Sequence, residues 1–454
     1  MTDKTIVARE CRHVSYSKSY ESNDDLHVMK EILHFSDGTV APNLRLLKNY
    51  KRPYWLVQKG QRTFKDKKEY IEESRCIKYE STQSELITRI ATSLGKPWFE
   101  GGLRKLCRDP YVYGSDILST AIIKKQYQLK YPDKNTYSSV AVFDTETDMV
   151  YETGEIIMST LSFKDKVLTV INKSFLSGQS DVKNRLNNLL TKYIGGYVTK
   201  RNIKWEVLLV DNAGEIVREI FKKAHEWQPD FIAIWNMSFD IPKCIEALKK
   251  YGIDPRTVFN DPSIPDEYKI FKWDAGQAVK VTASGKQMSK NYYEIWTSVK
   301  CHSSFYFIDA MCLYYQIRSQ SESKEQSYSL NSILDKHLGI RKLNFAEAEH
   351  LDKSEWHQFM QEKYPLEYVI YNVFDCVSME ELDEKTLDIA LTMPMSAGCS
   401  EYTYFNSQPK RLADNMHWYC LDNKYVYGTT SDEMVNELDN STTSGSGWVC
   451  NCFL

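Results

Sequence analysis

The segment Val140-Ala141-Val142-Phe143-Asp144-Thr145-Glu146 constrains the fold of this chain more than any other. Its β-branched and aromatic run from Ser139 to Phe143 predicts a buried strand. Residues two apart on a strand share a face, so Asp144 and Glu146 project together while Thr145 points away. Paired carboxylates at the end of an apolar strand repel each other and are costly to desolvate. A bound Mg²⁺ or Mn²⁺ removes that cost, because hard cations take oxygen ligands. The competing reading is a plain surface turn, a common use of Asp-x-Glu.

Two further acidic signatures follow in fixed order. Asn236-Met237-Ser238-Phe239-Asp240 comes directly after a second predicted strand, Asp230 to Trp235, and before an amphipathic helical pattern over 241–251 with Gly252 as its stop. Groups at the carboxyl ends of strands open onto a crevice, although Asn236 and Asp240 are equally suited to capping the helix. Tyr371-Asn372-Val373-Phe374-Asp375 lies in a long helical pattern, roughly 366–390, with Pro365 near its start. Tyr371 and Asp375 are four apart and share one side of that helix, where a hydroxyl beside a ligand aspartate could orient a water. Four acids gathered by a fold could hold two divalent cations, a constellation suited to phosphodiester hydrolysis.

In order, spacing and context the three signatures resemble the exonuclease motifs of family B DNA polymerases, most closely those of large tailed bacteriophages. Tyr111-Val112-Tyr113-Gly114-Ser115-Asp116-Ile117, Phe305 to Tyr314, and Tyr328-Ser329-Leu330-Asn331-Ser332-Ile333-Leu334 with Leu338-Gly339 carry the likeness further, over about residues 40–430. The resemblance implies an α/β, RNase H-like (DnaQ-like) 3′→5′ exonuclease domain preceded by a mixed α+β N-terminal polymerase domain. It implies Asp144, Glu146, Asp240 and Asp375 as ligands of two Mg²⁺ or Mn²⁺ ions, with Tyr371 orienting the nucleophilic water. Asn236, Phe239 and Thr145 fall at substrate-lining positions, Phe239 being expected to pack. The implied substrate is the single-stranded 3′ end of a DNA primer, released stepwise as deoxynucleoside monophosphates in proofreading.

The palm, fingers and thumb of such a polymerase have no counterpart: no Asp-x-x-Ser-Leu-Tyr-Pro-like, Lys-x-x-x-Asn-x-x-Tyr-Gly or Tyr-x-Asp-Thr-Asp motif is present. Asp148 reads as a solvated turn residue rather than a further ligand. The expectation is the N-terminal part of a split polymerase, with a second polypeptide carrying the palm. A free-standing DNA exonuclease and a non-catalytic DNA-binding half, active only on assembly, are the alternatives. The tail has linker composition over 440–447 and ends in an apolar heptad, 448–454, expected either to dock on a partner or to be disordered.

Composition sets bounds on the class. A chain of 454 residues should form two to three domains; the organisation expected is 1–135, 136–390 and 391–454, the last returning to the N-terminal domain or leading to a palm. The eleven cysteines show no paired spacing and no signal peptide precedes them, so reduced thiols in a cytoplasm, a host cell's if the source is viral, are expected. No apolar run has membrane-spanning length. A net charge of −3 is not that of a protein that coats nucleic acid. Local DNA contacts are instead expected at Lys51 and Arg52, within a basic and aromatic stretch from Lys48 to Lys68. Lys286 and Lys290 are further candidates, beside a hairpin predicted from strands 278–282 and 291–296, although ordinary sheet is the simpler use of that hairpin.

Overall fold

The computed structural model describes residues 4–96, 102–281, 285–319, 324–343 and 345–428. The expected tail features at 440–447 and 448–454, and the last residue of the predicted strand 278–282, lie outside the described residues. The chain is mixed α/β and divides into two compact units. Residues 1–17, 28–46 and 127–398 form the first; residues 18–27, 47–126 and those from 399 onward form the second.

A six-stranded mixed sheet organises the first unit. Its strands are β1 (Val140–Thr147), β2 (Ile156–Phe163), β3 (Lys166–Asn172), β4 (Lys204–Val210), β5 (Phe231–Ile234) and β6 (Tyr306–Asp309), in the order β4-β3-β2-β1-β5-β6. β2 runs antiparallel to β1 and β3, whereas β5 runs parallel to both β1 and β6. Ala233 pairs with Val142 and Ile234 with Asp309, so β1, β5 and β6 run the same way, with β1 extending to Thr147 beyond the ends of the other two.

Seven helices position the site: α1 (Val182–Arg201), α2 (Ala213–Trp227), α3 (Met237–Lys250), α4 (Ala310–Arg318), α5 (Leu330–Leu338), α6 (Lys353–Lys363) and α7 (Pro365–Thr386). β1 and β2 are buried on both faces, which requires helices above and below. Ala141 and Phe143 pack into one core with Ile216, Ile220 and Phe221 of α2 and Met237 and Ile241 of α3. Met158, Val167 and Ile171 pack on the opposite side with Leu186 and Leu190 of α1 and Val369, Ile370 and Val373 of α7. The period-two alternation of β1 therefore sends its odd-numbered side chains towards α3 and its even-numbered ones towards α7.

The domain boundary expected near 135 falls elsewhere. Most of the strands Ile6–Lys18, Asp25–Phe35 and Val40–Lys48 counts with the first unit, because its charges are neutralised there. Arg12 Nε lies 3.2 Å and Lys30 Nζ 3.8 Å from the carboxylate of Asp230, which also accepts from Ser139 N at 2.8 Å. All three charged groups are buried, at the amino-terminal ends of β1 and β5. Removing one partner of a buried ion pair costs roughly 3–5 kcal/mol. Asp230→Ala is therefore expected to lower the unfolding free energy of the first unit by that amount, read as a drop in its urea midpoint. Its response to Mg²⁺ should persist, because the acids sit at the other end of the strands.

The hairpin is real but shorter than expected. Val279–Val281 pairs with Gln287–Ser289, and the second predicted strand is instead a single 3₁₀ turn over Tyr292–Glu294. Glu294 accepts from the Asn291 backbone at 2.8 Å in a capping box, which favours a turn over an extended strand. Lys286 is exposed beside the hairpin and Lys290 half-buried.

In the second unit, Arg52–Val57 pairs with Cys76–Ser81 and Val112–Tyr113, and Tyr425–Tyr427 pairs with Tyr70–Glu72. The basic stretch expected to meet DNA is divided: Lys48, Lys51, Lys59, Lys65 and Lys68 are exposed, whereas Arg52 and Lys67 are buried. Arg52 is 1% exposed and donates to Gly114 O at 2.7 Å and to Ile117 O, so it cannot contact a nucleic acid. Lys67, Tyr54 and Trp55 are buried as well, while Lys51 remains exposed. Arg52, Tyr54 and Trp55 thus serve the packing of this sheet rather than a stacking platform.

Candidate metal centre

Strand alternation decides which acids meet. Asp144 and Glu146 lie on the face of β1 that looks towards α7. One turn spacing after another on α7 supplies Tyr368, Tyr371, Asn372 and Asp375, a polar stripe among the apolar residues of its first half. Carboxylate oxygens of Asp144, Glu146 and Asp375 lie within 4.8 Å of one another, forming a triad that could hold a metal ion. Glu146 and Asp375 are buried and Asp144 half-buried. Asp375 Oδ1 is buried with no hydrogen-bond partner, an orphaned acceptor that a cation would satisfy. All-oxygen donors of this kind suit hard cations such as Mg²⁺, Mn²⁺ or Ca²⁺.

Asp240 stands beside this triad and not within it. It lies in the first turn of α3, and Thr145, the odd-numbered residue of β1, faces it. Thr145 donates to Asp240 Oδ1 from its hydroxyl at 2.6 Å and from its backbone at 3.2 Å. Thr145 is thus buried and serves an acid rather than a substrate, a correction to its expected lining role. Asn236 is half-buried, its Oδ1 accepting from Ser238 Oγ at 2.7 Å. Phe239, expected to pack, is 43% exposed on the same helix turn. Asp148, expected to be solvated, is buried. Its carboxylate accepts from the backbone of Val150, Tyr151 and Thr153 and so shapes the loop after β1. Tyr151 is held out on that loop, 84% exposed.

Four further side chains, not singled out from sequence, complete the centre. Asn372 Nδ2 donates to Asp144 Oδ2 at 2.7 Å. The Tyr368 hydroxyl donates to Glu146. Asp309, at the end of β6, accepts from Met237 N at 3.1 Å and Cys312 N at 2.8 Å, fixing the starts of α3 and α4 together. Lys342 Nζ donates to Tyr371 Oη at 3.0 Å and to Asp375 Oδ2. Lys342 follows α5, whose end is set by Gly339 in the left-handed region at φ +66°, and its backbone N–H is tied to Asn331 Oδ1 at 2.8 Å.

The electrostatics are those of crowded, desolvated acids. Burial pushes Asp144 well above the ordinary carboxylate range, and the negative charges of Asp240, Glu146 and Asp375 push it the same way. Burial lifts Glu146 to about 7 against the Tyr368 hydrogen bond, and lifts Asp240 to about 7 against the two bonds from Thr145. Burial also raises Asp375, with Lys342 opposing. Although burial disfavours the ammonium, Asp375, Tyr371 and Asp144 hold Lys342 well above its usual value. Tyr371 is raised by burial and by Asp375, so at neutral pH it stays a phenol and donates hydrogen bonds rather than acting as a base.

A pH dependence follows with a definite sign. Between about pH 4 and 7 the folded acids retain protons that the unfolded chain has released, so their contribution to metal-free stability is lost as pH rises through 7. A cation must displace those protons, so its binding tightens over the same rise. The Mg²⁺-induced increase in melting temperature is expected to be larger at pH 8 than at pH 6. Calorimetric titration in buffers of different ionisation enthalpy should show proton release at pH 6.5.

Sheet, flanking helices and acid edge define a mixed α/β protein with a buried carboxylate centre able to hold a cation. In comparison with known proteins, no family model and no curated protein matches the chain. Among the described residues, no helix is long and apolar enough to cross a membrane.

Proposed function

We propose that the first unit is an RNase H-like 3′→5′ DNA exonuclease, the proofreading portion of a family B DNA polymerase. The observation that carries this reading is the meeting of the acid face of β1 with the Tyr371–Asp375 stripe of α7. Residues from two separate signatures thereby meet, and Asp240 of the third stands beside them, held by Thr145. A mixed sheet with helices on both faces and acids at the strand exits supports the fold assignment.

Asp144, Glu146 and Asp375 would hold Mg²⁺ or Mn²⁺, with Asp240 adding charge for a second ion. When bound, such ions supply Lewis-acid stabilisation of the charge that develops on a phosphodiester attacked by water. The residues of the chain do the positioning. Asn372 holds Asp144, Tyr368 holds Glu146, and Thr145 holds Asp240. Tyr371 donates towards the site and orients the water. Lys342 supplies a fixed positive charge beside Asp375, where an anionic phosphate must approach. Phe239 and Tyr151 offer exposed rings after the exits of β5 and β1, suited to stacking unpaired bases of a single-stranded 3′ end.

The test is digestion of a 5′-labelled single-stranded DNA oligonucleotide with Mg²⁺, against an EDTA control. A ladder shortening from the 3′ end is expected. Internal cuts would mark an endonuclease, and intact DNA would favour a half that acts only on assembly.

A further inference from the structure

Helix α6 reaches the acid strand from outside the ligand set. Its capping box, Asp352 with Glu355, fixes its start, and His357 and Gln361 lie four apart on one face. Gln361 Nε2 donates to Thr147 O and its Oε1 accepts from Met149 N, both at 2.9 Å, gripping the end of β1. His357 Nδ1 lies 2.7 Å from the Tyr368 hydroxyl, which in turn donates to Glu146.

The proton inventory fixes the direction of this chain. A tyrosine hydroxyl has one proton, and when Glu146 is ionised, as a metal ligand must be, Tyr368 gives it to Glu146. The contact with His357 therefore requires the imidazole to donate from Nδ1. The Tyr368 ring has little freedom to swing. It is fully buried, stacked on Tyr371 at 5.8 Å and 4°, and flanked by Trp356 at 6.2 Å and Phe175 at 6.4 Å. A rigid donor holding a carboxylate, itself held by a second donor, is how outer residues orient a metal ligand.

We propose that His357 and Tyr368 are positioning residues for the cation centre: His357 fixes the Tyr368 hydroxyl, which fixes Glu146, and together they set divalent-cation affinity. This rests on the cation reading of the acid triad but not on the identity of the substrate. The test is Mn²⁺ binding to the full chain without DNA, followed by electron paramagnetic resonance of the free ion.

Tyr368→Phe, which deletes a single oxygen, is expected to weaken Mn²⁺ binding about tenfold or more, within the range for loss of an outer partner. His357→Leu should weaken it several-fold, and His357→Gln, which retains a donor, should restore part of the loss. Combined with Tyr368→Phe, His357→Leu should add nothing, because it acts through the missing hydroxyl. Equal Mn²⁺ affinity in wild type and all variants would overturn the proposal and leave the cation reading standing. Losses that multiply in the double variant would overturn the relay. A wild type that binds no Mn²⁺ would remove the cation reading and this proposal together.

Discussion

Replacing Asp144 and Glu146 together with alanine is expected to abolish 3′-end digestion, by about three orders of magnitude or more. The two residues are adjacent on one strand face and supply two of the three carboxylates of the triad. Asp240, already bonded to Thr145, cannot replace both missing carboxylates. Loss of several kcal/mol of charge stabilisation translates into that rate. The informative companion is the amide pair, Asp144→Asn with Glu146→Gln, which preserves shape and the acceptors for Asn372 and Tyr368. Burial and mutual repulsion raise both acids, so uncharged amides should make the metal-free protein more stable at pH 8. An inactive variant with a higher melting temperature and no Mg²⁺ response would mark a charge cluster kept for chemistry. An inactive variant that melts lower would instead report a damaged fold, and the kinetic loss would carry no weight.

How much of this centre could be read in advance depends on the range over which each residue acts. The strand at 140–147 announces itself, since a β-branched run ending in two acids has few other uses, and its alternation places Thr145 opposite its neighbours. Helix α7 was expected over 366–390 and runs Pro365–Thr386, with Tyr371 and Asp375 on one stripe. The same i, i+3, i+4 arithmetic, extended one turn back, contains Tyr368 and Asn372, so that signal was present and unused. Lys342 carried no such signal. It sits in irregular backbone after α5, and its role comes from a long side chain reaching acids distant in sequence. His357 likewise acts from a different helix. Arg52 and Lys67 misled for the reciprocal reason, because local composition marks a cation but not the carbonyl groups that bury it. Asp230 draws Arg12 and Lys30 into the first unit through long-range ion pairs, which no local pattern near 135 announces.

Lys342→Met should have the second-largest effect, and its pattern separates an electrostatic role from a structural one. Lys342 is the cation that directly pairs with Asp375, and its side chain is 27% exposed, so methionine removes the charge from a mostly desolvated site while keeping the stem. Unpairing the buried carboxylate costs roughly 3 kcal/mol, the lower end for a broken buried pair, because solvent partly reaches this one. The metal-free protein should therefore melt several degrees lower at pH 8. Without the ammonium, the acids of the triad hold their protons to higher pH, because Lys342 lowers Asp144, Glu146 and Asp375 alike. Mg²⁺-dependent digestion by the variant should then require a more alkaline medium, its pH profile displaced upward by about one unit while the wild-type profile stays in place. Loss of the charge that meets the phosphate should also reduce the maximal rate by roughly 10²-fold, and raising Mg²⁺ should restore stability without restoring that rate. A variant whose rate recovers fully at high Mg²⁺ would show that Lys342 only compensates the acids. One whose pH profile does not move would show that its charge is not coupled to them at all.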